Sequence, residues 1–368
     1  MLKFLNLQPE AFGLDISDLS LKIIRLEKKG GDFRLASIGE TKIKEGIIRN
    51  GEIKDKETLT KNIRRAIAEV KGKKINTKYV VASLPEEKSF LQVIQMPKIL
   101  KEDLKSAVIF EAENYIPLPI QDVYLDSQIV EPVVDHLDHY DVLISALPKK
   151  TVDPYVECLK AAGLKSLALE IESLSIARAL VKNEVTSSPV LLIDFGATRT
   201  SFIIFSGHSL RFIFSIPVSS QKFTEGIMRS MKIDPKEAEK LKIKYGLQAS
   251  RATKEGGEVF DALIPPLTDL IEQIKRYLDY YQSHSSHEHL PPNGRGVKKV
   301  FLCGGGANLK GLPLLLSQQL ELPVEIGNPW INLLDEGEKE KVKIPLEESL
   351  KYATAVGLAL RGIDGDVQ

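Results

Sequence analysis

The chain has 368 residues, 43% of them hydrophobic, with 50 basic and 50 acidic side chains and a formal net charge of zero. That length suits about two domains with sizeable cores. The balanced charge excludes a global field for nucleic acid or for an anionic membrane surface.

Taken in chain order, "AFGLDI", "LKIIRLE" and "FRLASIGETKI" predict a three-stranded meander, its second turn supplied by "KKGGD". Leu59, Ile63, Ile67 and Val70 then recur at helical spacing and predict one amphipathic helix. From about Thr77 to Lys165 runs a mixed block. It has strands at "YVVASLP", "SFLQVIQMP" and "HYDVLISALP" and helices at "KEDLKSAVIFEAENYIP" and "TVDPYVECLKAAG", with Gly163 as C-cap of the last. This block predicts an inserted subdomain. Its first helix carries Leu104, Ala107, Val108 and Tyr115 as a stripe, with Ile109, Phe110 and Ile116 partly off it. Such wide apolar coverage predicts burial on two sides. The functional alternative is a groove for a peptide.

"VLLIDF", "TSFIIF" and "SLRFIFSIPV" predict a second meander, followed by a helix at "SSQKFTEGIMRSMKI". The order of the first segment is thereby repeated. Placing Asp15 on Asp194, an offset of 194 − 15 = 179 residues, sets "DISDLSLKII" against "DFGATRTSFI". A repeat of about half the chain predicts two related lobes. Beyond it come a helix at "DPKEAEKLKIKYG", capped by Asp234 with Pro235 in its first turn, and a longer helix at "IPPLTDLIEQIKRYLDYYQS". The loop "HSSHEHLPPNGRG" leads to a strand, "KKVFLC", that runs into "GGGANLKGLPLLLSQQL", with a helix expected to begin near Asn308. The last helix is "LEESLKYATAVGLALRG".

Three features could handle a nucleotide. Asp194-Phe195-Gly196 puts a carboxylate at a strand end, able to hold water around Mg²⁺, beside a glycine that lets backbone N–H groups reach phosphate. Asp15-Ile16-Ser17 is the weaker copy. Gly304, Gly305 and Gly306 end a strand with bare backbone, suited to phosphate or to a planar base. Each alone is more ordinary as a turn. No kinase loop, Walker A or dinucleotide fingerprint accompanies them. Together, in a two-lobed chain, they predict a nucleotide cleft. Glu239 and Lys242, three apart on a helix, share a face and by themselves read as a solvated charge pair. His284, His287 and His289 read as a polar loop rather than a metal site. Cys158 and Cys303, the only cysteines, lie far apart, which excludes a disulfide scaffold.

This combination resembles the actin-like ATPase superfamily. The implied fold is α/β and two-lobed, with duplicated ribonuclease H-like subdomains. "EGIIRNGEIKD", "FEAENYIPLPIQDVYLDSQIV", "EAEKLKIKYG" and "GGGANLKGLPLLLSQQLELPVEIGNPW" narrow it to the PilM family of the type IV pilus machinery, relatives of the division protein FtsA. The likeness implies a first lobe (1A) at 1–76, completed by 166–187 and the helix 347–362. It implies an FtsA-type 1C insert at 77–165 and a second lobe at 188–346, with subdomain 2B at about 219–290. It implies ATP and Mg²⁺, with Asp15 and Asp194 placing the metal through water. Ser17, Ser20, Gly196, Thr198 and Thr200 would line the phosphates. Glu239 and Lys242 would meet ribose and base, and Gly304, Gly305, Gly306 and Asn308 would border the adenosine. Glu172 stands where active relatives orient the attacking water, although a surface position on its helix is the plainer expectation. Two departures weigh against hydrolysis: Ser17 stands where the family has glycine, and Ser219-Ser220 where it has Gly-Gly.

The expected function is a cytoplasmic ATP-binding scaffold of the inner-membrane pilus assembly complex and of twitching motility, with slow or absent turnover. Its expected partner is the N-terminal tail of a PilN-type membrane protein, bound with the help of the insert. Pilus motor ATPases and self-association are further expected partners. No apolar run approaches the ~18–20 residues that span a bilayer, and no secretory signal is evident, so membrane contact is expected only through a partner. An FtsA-like filament protein would need a linker and amphipathic helix after "RGIDGDVQ" and is the first alternative. A small-molecule kinase on the same fold is the second, and no catalytic base for it stands out.

Overall fold

Two mixed sheets, each opened by an antiparallel meander, carry the protein; the computed structural model describes residues 10–29, 32–131, 138–248, 253–284, 296–333 and 344–364. In the first lobe β1 (Phe12–Ile16), β2 (Ser20–Lys29) and β3 (Asp32–Lys42) form the meander. A short hairpin, β4 (Ile48–Arg49) and β5 (Glu52–Ile53), precedes α1 (Lys56–Ala68). Asp55 caps that helix by accepting the Thr58 N–H, and Leu59, Ile63 and Ala66 turn inward. The strand β6 (Lys71–Gly72) edges the sheet.

The next strand, β7 (Tyr79–Leu84), does not belong to the insert. It pairs in parallel with β1, setting Phe12 against Val80. Its far side pairs with β11 (Lys165–Ile171), giving the order β11-β7-β1-β2-β3-β6. Val80, Val81 and Ala82 are fully buried, as expected of an interior parallel strand covered on both faces. The helix α3 (Lys149–Ala161) also serves this lobe, with Val152, Tyr155, Cys158 and Leu159 in one core with Leu14 and Leu59.

The segment that forms its own sheet is therefore narrower than 77–165. It comprises β8 (Phe90–Pro97), α2 (Lys101–Ala112), β9 (Val123–Ile129) and β10 (His139–Pro148), in the order β8-β10-β9. Here α2 buries Leu104, Val108 and Ala112 on the sheet, but leaves Ile109 40% and Phe110 74% exposed. Burial on two sides, expected from the sequence, is not what forms. One face packs, and Ile109 and Phe110 are left exposed beside Asp103, Lys105 and Ser106.

In the second lobe β12 (Thr186–Phe195), β13 (Thr200–Gly207) and β14 (Ser209–Ile216) repeat the meander, and α5 (Ser220–Met231) follows as α1 did. The helix α6 (Pro235–Tyr245) is capped by Asp234. The helix α7 (Lys254–His284) begins earlier than the sequence suggested and runs through Pro265 and Pro266. The sheet ends with β15 (Lys299–Cys303) and β16 (Val324–Ile326), both parallel to β12. After β15 the glycines do not open a helix at Asn308. They form a 3₁₀ turn, and α8 (Leu312–Leu320) starts only after Gly311 at φ +83°. Pro313 in its first turn favours that later start.

Two helices join the lobes: α4 (Glu172–Leu180) and, after α9 (Leu346–Ser349), α10 (Ala353–Asp364). They cross so closely that a Cβ on Gly357 would lie 1.8 Å from the Ser175 carbonyl oxygen. His136, His287 and His289 lie outside the described residues, while His284 ends α7 and stacks on Tyr280 at 4.1 Å.

Candidate functional site

The meander of each lobe aims its first turn into one cleft. That cleft holds a cavity of about 310 Å³ lined by Asp15, Ser17, Ser20, Glu172, Asp194, Gly196, Thr198, Glu239 and the glycines 304–306. The duplication thus brings together residues that lie 179 apart in the sequence.

On the first side Asp15 and Lys22 are register partners across β1 and β2, and Lys22 Nζ meets Asp15 Oδ2 at 2.9 Å. Ser83 of β7 donates to Asp15 Oδ1 at 3.3 Å and accepts the Ile16 N–H at 2.8 Å. Burial disfavours the Lys22 ammonium, yet Asp15, then Asp194 and Glu40, more than offset it and hold its pKa above the ordinary lysine value. In the turn, the Ser17 N–H reaches the Ser20 carbonyl at 3.0 Å, and the Ser17 hydroxyl lies 3.0 Å from that carbonyl and 3.1 Å from Ser20 Oγ. Serine at 17 is thus used to close its own turn.

On the second side Asp194 faces Ser201 across the hairpin, where the first side has lysine. Burial, with Asp15 adding to it against the pull of Lys22, pushes the Asp194 carboxyl up to about 6. The Gly196 N–H closes the turn on the Arg199 carbonyl at 2.9 Å. The first N–H groups of α5 then grip that turn from behind, Ser220 on the Gly196 carbonyl at 3.0 Å and Gln221 on the Ala197 carbonyl at 3.1 Å. Ser219 caps α5. The Ser219-Ser220 pair therefore supports the loop backbone.

Gly304, at φ +81°, passes directly over Asp194; a Cβ there would lie 2.2 Å from Asp194 Oδ1 and 2.6 Å from the Phe195 carbonyl oxygen. Only glycine fits this approach.

A second cavity of about 260 Å³ adjoins the first. It is lined by Phe195, Phe223, Ile243, Lys242, Asn308 and Leu309, and it shares Ser220, Glu239, Gly305 and Gly306 with its neighbour. The Glu239–Lys242 pair is no solvated surface pair. Lys242 Nζ is 2.8 Å from Glu239 Oε2, from Ser220 Oγ and from Thr224 Oγ1, and 3.0 Å from the Ser220 carbonyl. Burial pulls its pKa below the ordinary lysine value, with Glu239 acting against that. Asn308 donates through Nδ2 to the Glu347 carbonyl at 2.8 Å, tying the glycine turn to α9.

Two expectations need correction. Thr200 does not face the cleft: it is fully buried, and its hydroxyl donates to the Val218 carbonyl at 2.7 Å. Glu172 is not on a helix surface. As the first residue of α4 it lines the cavity, and burial, with Asp15, Glu86 and Asp194 nearby, raises its carboxyl well above the usual range.

Sequence reasoning missed Lys22, Ser83, Glu86 and Glu87, and it gave Asp18 and Arg199, which lie inside the two expected phosphate loops 15–20 and 194–200, no role of their own. A hairpin register drawn from the turn at 17–20 would have set Lys22 opposite Asp15. Of the adjacent Glu86 and Glu87 in "LPEEK", Glu86 is 3% exposed, and burial pushes it up to about 7.

The two joined cavities give a part lined by charged side chains and a part with apolar walls. The first carries Asp15, Asp18, Glu40, Glu87, Glu172, Asp194 and Glu239 against Lys22, Arg199 and Lys351. That excess of carboxylate repels a bare polyphosphate and accommodates one that brings a divalent cation. Among the described residues no three ligating side chains converge for direct metal binding, so a cation here would be held largely through water and phosphate oxygens. No described helix is long and apolar enough to cross a membrane.

A family model described as type IV pilus assembly protein PilM matches residues 13–363. Among solved structures, the PilM–PilN type IV pilus biogenesis complex is similar with a TM-score of 0.77 and 28% identity, over 97% of this chain and 99% of that one. The ethanolamine utilization protein EutJ of Carboxydothermus hydrogenoformans reaches 0.56 at 14% identity, over 96% of this chain and 89% of that one. MreB5 of Spiroplasma citri bound to ADP reaches 0.54 at 13%, over 96% of each chain. These likenesses make the fold actin-like. Among curated proteins, FtsA of Pseudomonas aeruginosa is 24% identical over 223 residues, 56% of this chain and 50% of that protein. FtsA of Helicobacter pylori strain J99 is 25% identical over 232 residues, 58% of this chain and 45% of that protein. The chain spans about half the length of these curated relatives.

Proposed function

The chain belongs to the PilM family of type IV pilus assembly proteins, and from that premise we propose that it is a nucleotide-gated scaffold. It binds ATP with Mg²⁺ in the cleft and docks the N-terminal tail of a PilN-type membrane protein. The observation that carries the nucleotide reading is the pair of carboxylates, Asp15 and Asp194, brought by duplicated hairpins into one cavity that continues into an apolar-walled second one.

In this reading Lys22 and the turn backbones at 17–20 and 196–199 hold the phosphates. Gly304 to Gly306 bring bare backbone to the nucleoside, and Phe195, Ile243 and Leu309 wall the base. Bound Mg²⁺ would neutralise phosphate charge beside Asp15 and Asp194. Glu239 and Lys242 fix the wall between phosphate and base, and Asn308 borders the base. Glu172 lines the same cavity, where burial and its acidic neighbours raise its carboxyl above the usual range. Ser17 and Ser219-Ser220, standing where the family has glycine, support slow or absent turnover.

The partner reading rests on the family and on the solved PilM–PilN complex. Ile109 and Phe110, exposed on the insert's helix, add apolar side chains suited to protein contact. Membrane association would follow from that partner, and pilus motor ATPases are further candidates for contact. Isothermal titration with ATP–Mg²⁺, and separately with a PilN-type N-terminal peptide, tests both halves. Absence of heat and of thermal stabilisation with ATP–Mg²⁺ sinks the nucleotide half, and absence of peptide binding sinks the other. The FtsA matches favour one second reading, self-association into filaments, which ATP-dependent pelleting would reveal.

A further inference from the structure

One guanidinium ties together four parts of the molecule. Arg199 lies in the second phosphate turn and lines the cleft cavity with Gly196 and Thr198. Its Nη2 is 3.1 Å from Asp18 Oδ2 in the first phosphate turn, and its Nη1 pairs with the Glu87 carboxylate. Asp18 in turn accepts the Asn50 N–H at 3.0 Å and the Gly51 N–H at 3.1 Å, in the turn joining β4 to β5. The Gly51 carbonyl takes the Tyr155 hydroxyl at 3.0 Å. Glu87 sits in the 3₁₀ turn Glu86–Lys88 that leads into β8, the first strand of the insert.

The two carboxylates are unequal. Asp18 is held by two backbone N–H groups as well as by Arg199. Among the described residues Glu87 has only Arg199, and its side chain is 19% exposed. A guanidinium facing two carboxylates leaves one negative charge in excess, and a phosphate group competes for it with matched, two-pronged geometry. The weaker partner yields. A largely buried carboxylate that loses its cation is costly where it stands, so Glu87 must turn toward solvent and take the lead-in turn of the insert with it.

We propose that Arg199 reads the number of phosphates: a terminal phosphate between the two turns takes Nη1 from Glu87 while Asp18 keeps Nη2, so a triphosphate loosens the start of β8 and a diphosphate does not. This rests on the nucleotide reading above and adds to it a specificity residue and a route to the insert.

The test uses the full chain with ATP–Mg²⁺ and ADP–Mg²⁺. Titration should give the wild type an ATP preference over ADP of about tenfold, a loss of roughly one strong contact. Arg199→Gln should bring the two affinities within about twofold of each other, and Glu87→Gln, which removes the competitor, should raise ATP affinity severalfold while leaving ADP affinity in place. Hydrogen exchange of residues 86–97 should be faster with ATP than with ADP in the wild type and equal in Arg199→Gln. A wild type that binds neither nucleotide overturns the cleft reading and this inference with it. A wild type that binds both, with a ratio untouched by either substitution or with no ATP-dependent exchange at 86–97, overturns the phosphate-reading role alone. Melting curves identify a variant that fails to fold; the Glu87→Gln affinities then decide.

Discussion

Asp15 and Lys22 stand directly opposite each other across the first hairpin, their charged atoms 2.9 Å apart and their side chains 4% and 11% exposed. Removing only the lysine leaves a buried carboxylate without its cation. Lys22→Met should therefore lower unfolding free energy by about 3–5 kcal/mol, and Asp15→Asn added to it should restore much of that loss. Urea unfolding of the two variants checks this. A single variant within about 1 kcal/mol of wild type would show that Asp15 is not held as a charge.

Stability should fall as pH rises from about 4.5 to about 7, because Glu86 goes from its ordinary value to about 7 on folding. A carboxyl raised in the folded state binds its proton there more tightly than in the unfolded chain. Its contribution is complete below the unfolded value and is lost as pH climbs through the folded one. Asp194, raised to about 6, acts in the same direction over a lower range. Glu86→Gln should match wild type near pH 4 and exceed it by about 2–3 kcal/mol near pH 8. Melts at both values decide; a gap that does not grow with pH contradicts burial as the cause.

The two threonines of the second hairpin should separate cleanly. Thr200→Val strands the buried Val218 carbonyl and should cost about 1–3 kcal/mol of stability. Thr198→Val, at the cavity wall, should change stability by no more than about 0.5 kcal/mol and weaken ATP–Mg²⁺ roughly fivefold. Paired melts and titrations test the split, and the reverse pattern would place Thr200 at the phosphates after all.

Gly304→Ala forces a Cβ to within 2.2 Å of Asp194 Oδ1 at a positive φ, whereas a Cβ on Gly305 meets nothing within 4 Å. The first should destabilise the fold by about 1–3 kcal/mol. The second should stay within about 0.5 kcal/mol of wild type. Equal melting temperatures for both variants would deny the close approach.

The duplicated frame was legible because it writes itself locally, as alternating apolar runs, turns and a carboxylate at the same place in each half. Asp15, Asp194 and Gly196 follow from it, and the glycines 304–306 from the run that ends a later strand. What escaped depends on partners distant in sequence. The sequence alone sets β7 with the insert, because its pairing with β1 leaves no mark in "YVVASL" itself. Arg199 and Glu87 look like solvated charges until the fold sets them side by side. The sequence places the start of α7 only at Ile264, beside a proline pair that a helix interior disfavours. Here the chain continues helical on both sides of the pair, against a well-packed core that includes Leu263 and Leu267.

The crossing of α4 and α10 has a use outside this molecule. At Gly357 the two backbones leave no room for a methyl group, and α10 rests so closely on β1 that a Cβ on Gly13 would lie 2.4 Å from the Ala355 carbonyl oxygen. The crossing admits no side chain, since any Cβ there would pry the lobes' two connectors apart. For threading a remote sequence onto this frame, Gly13 and Gly357 are thus landmarks set by backbone packing alone.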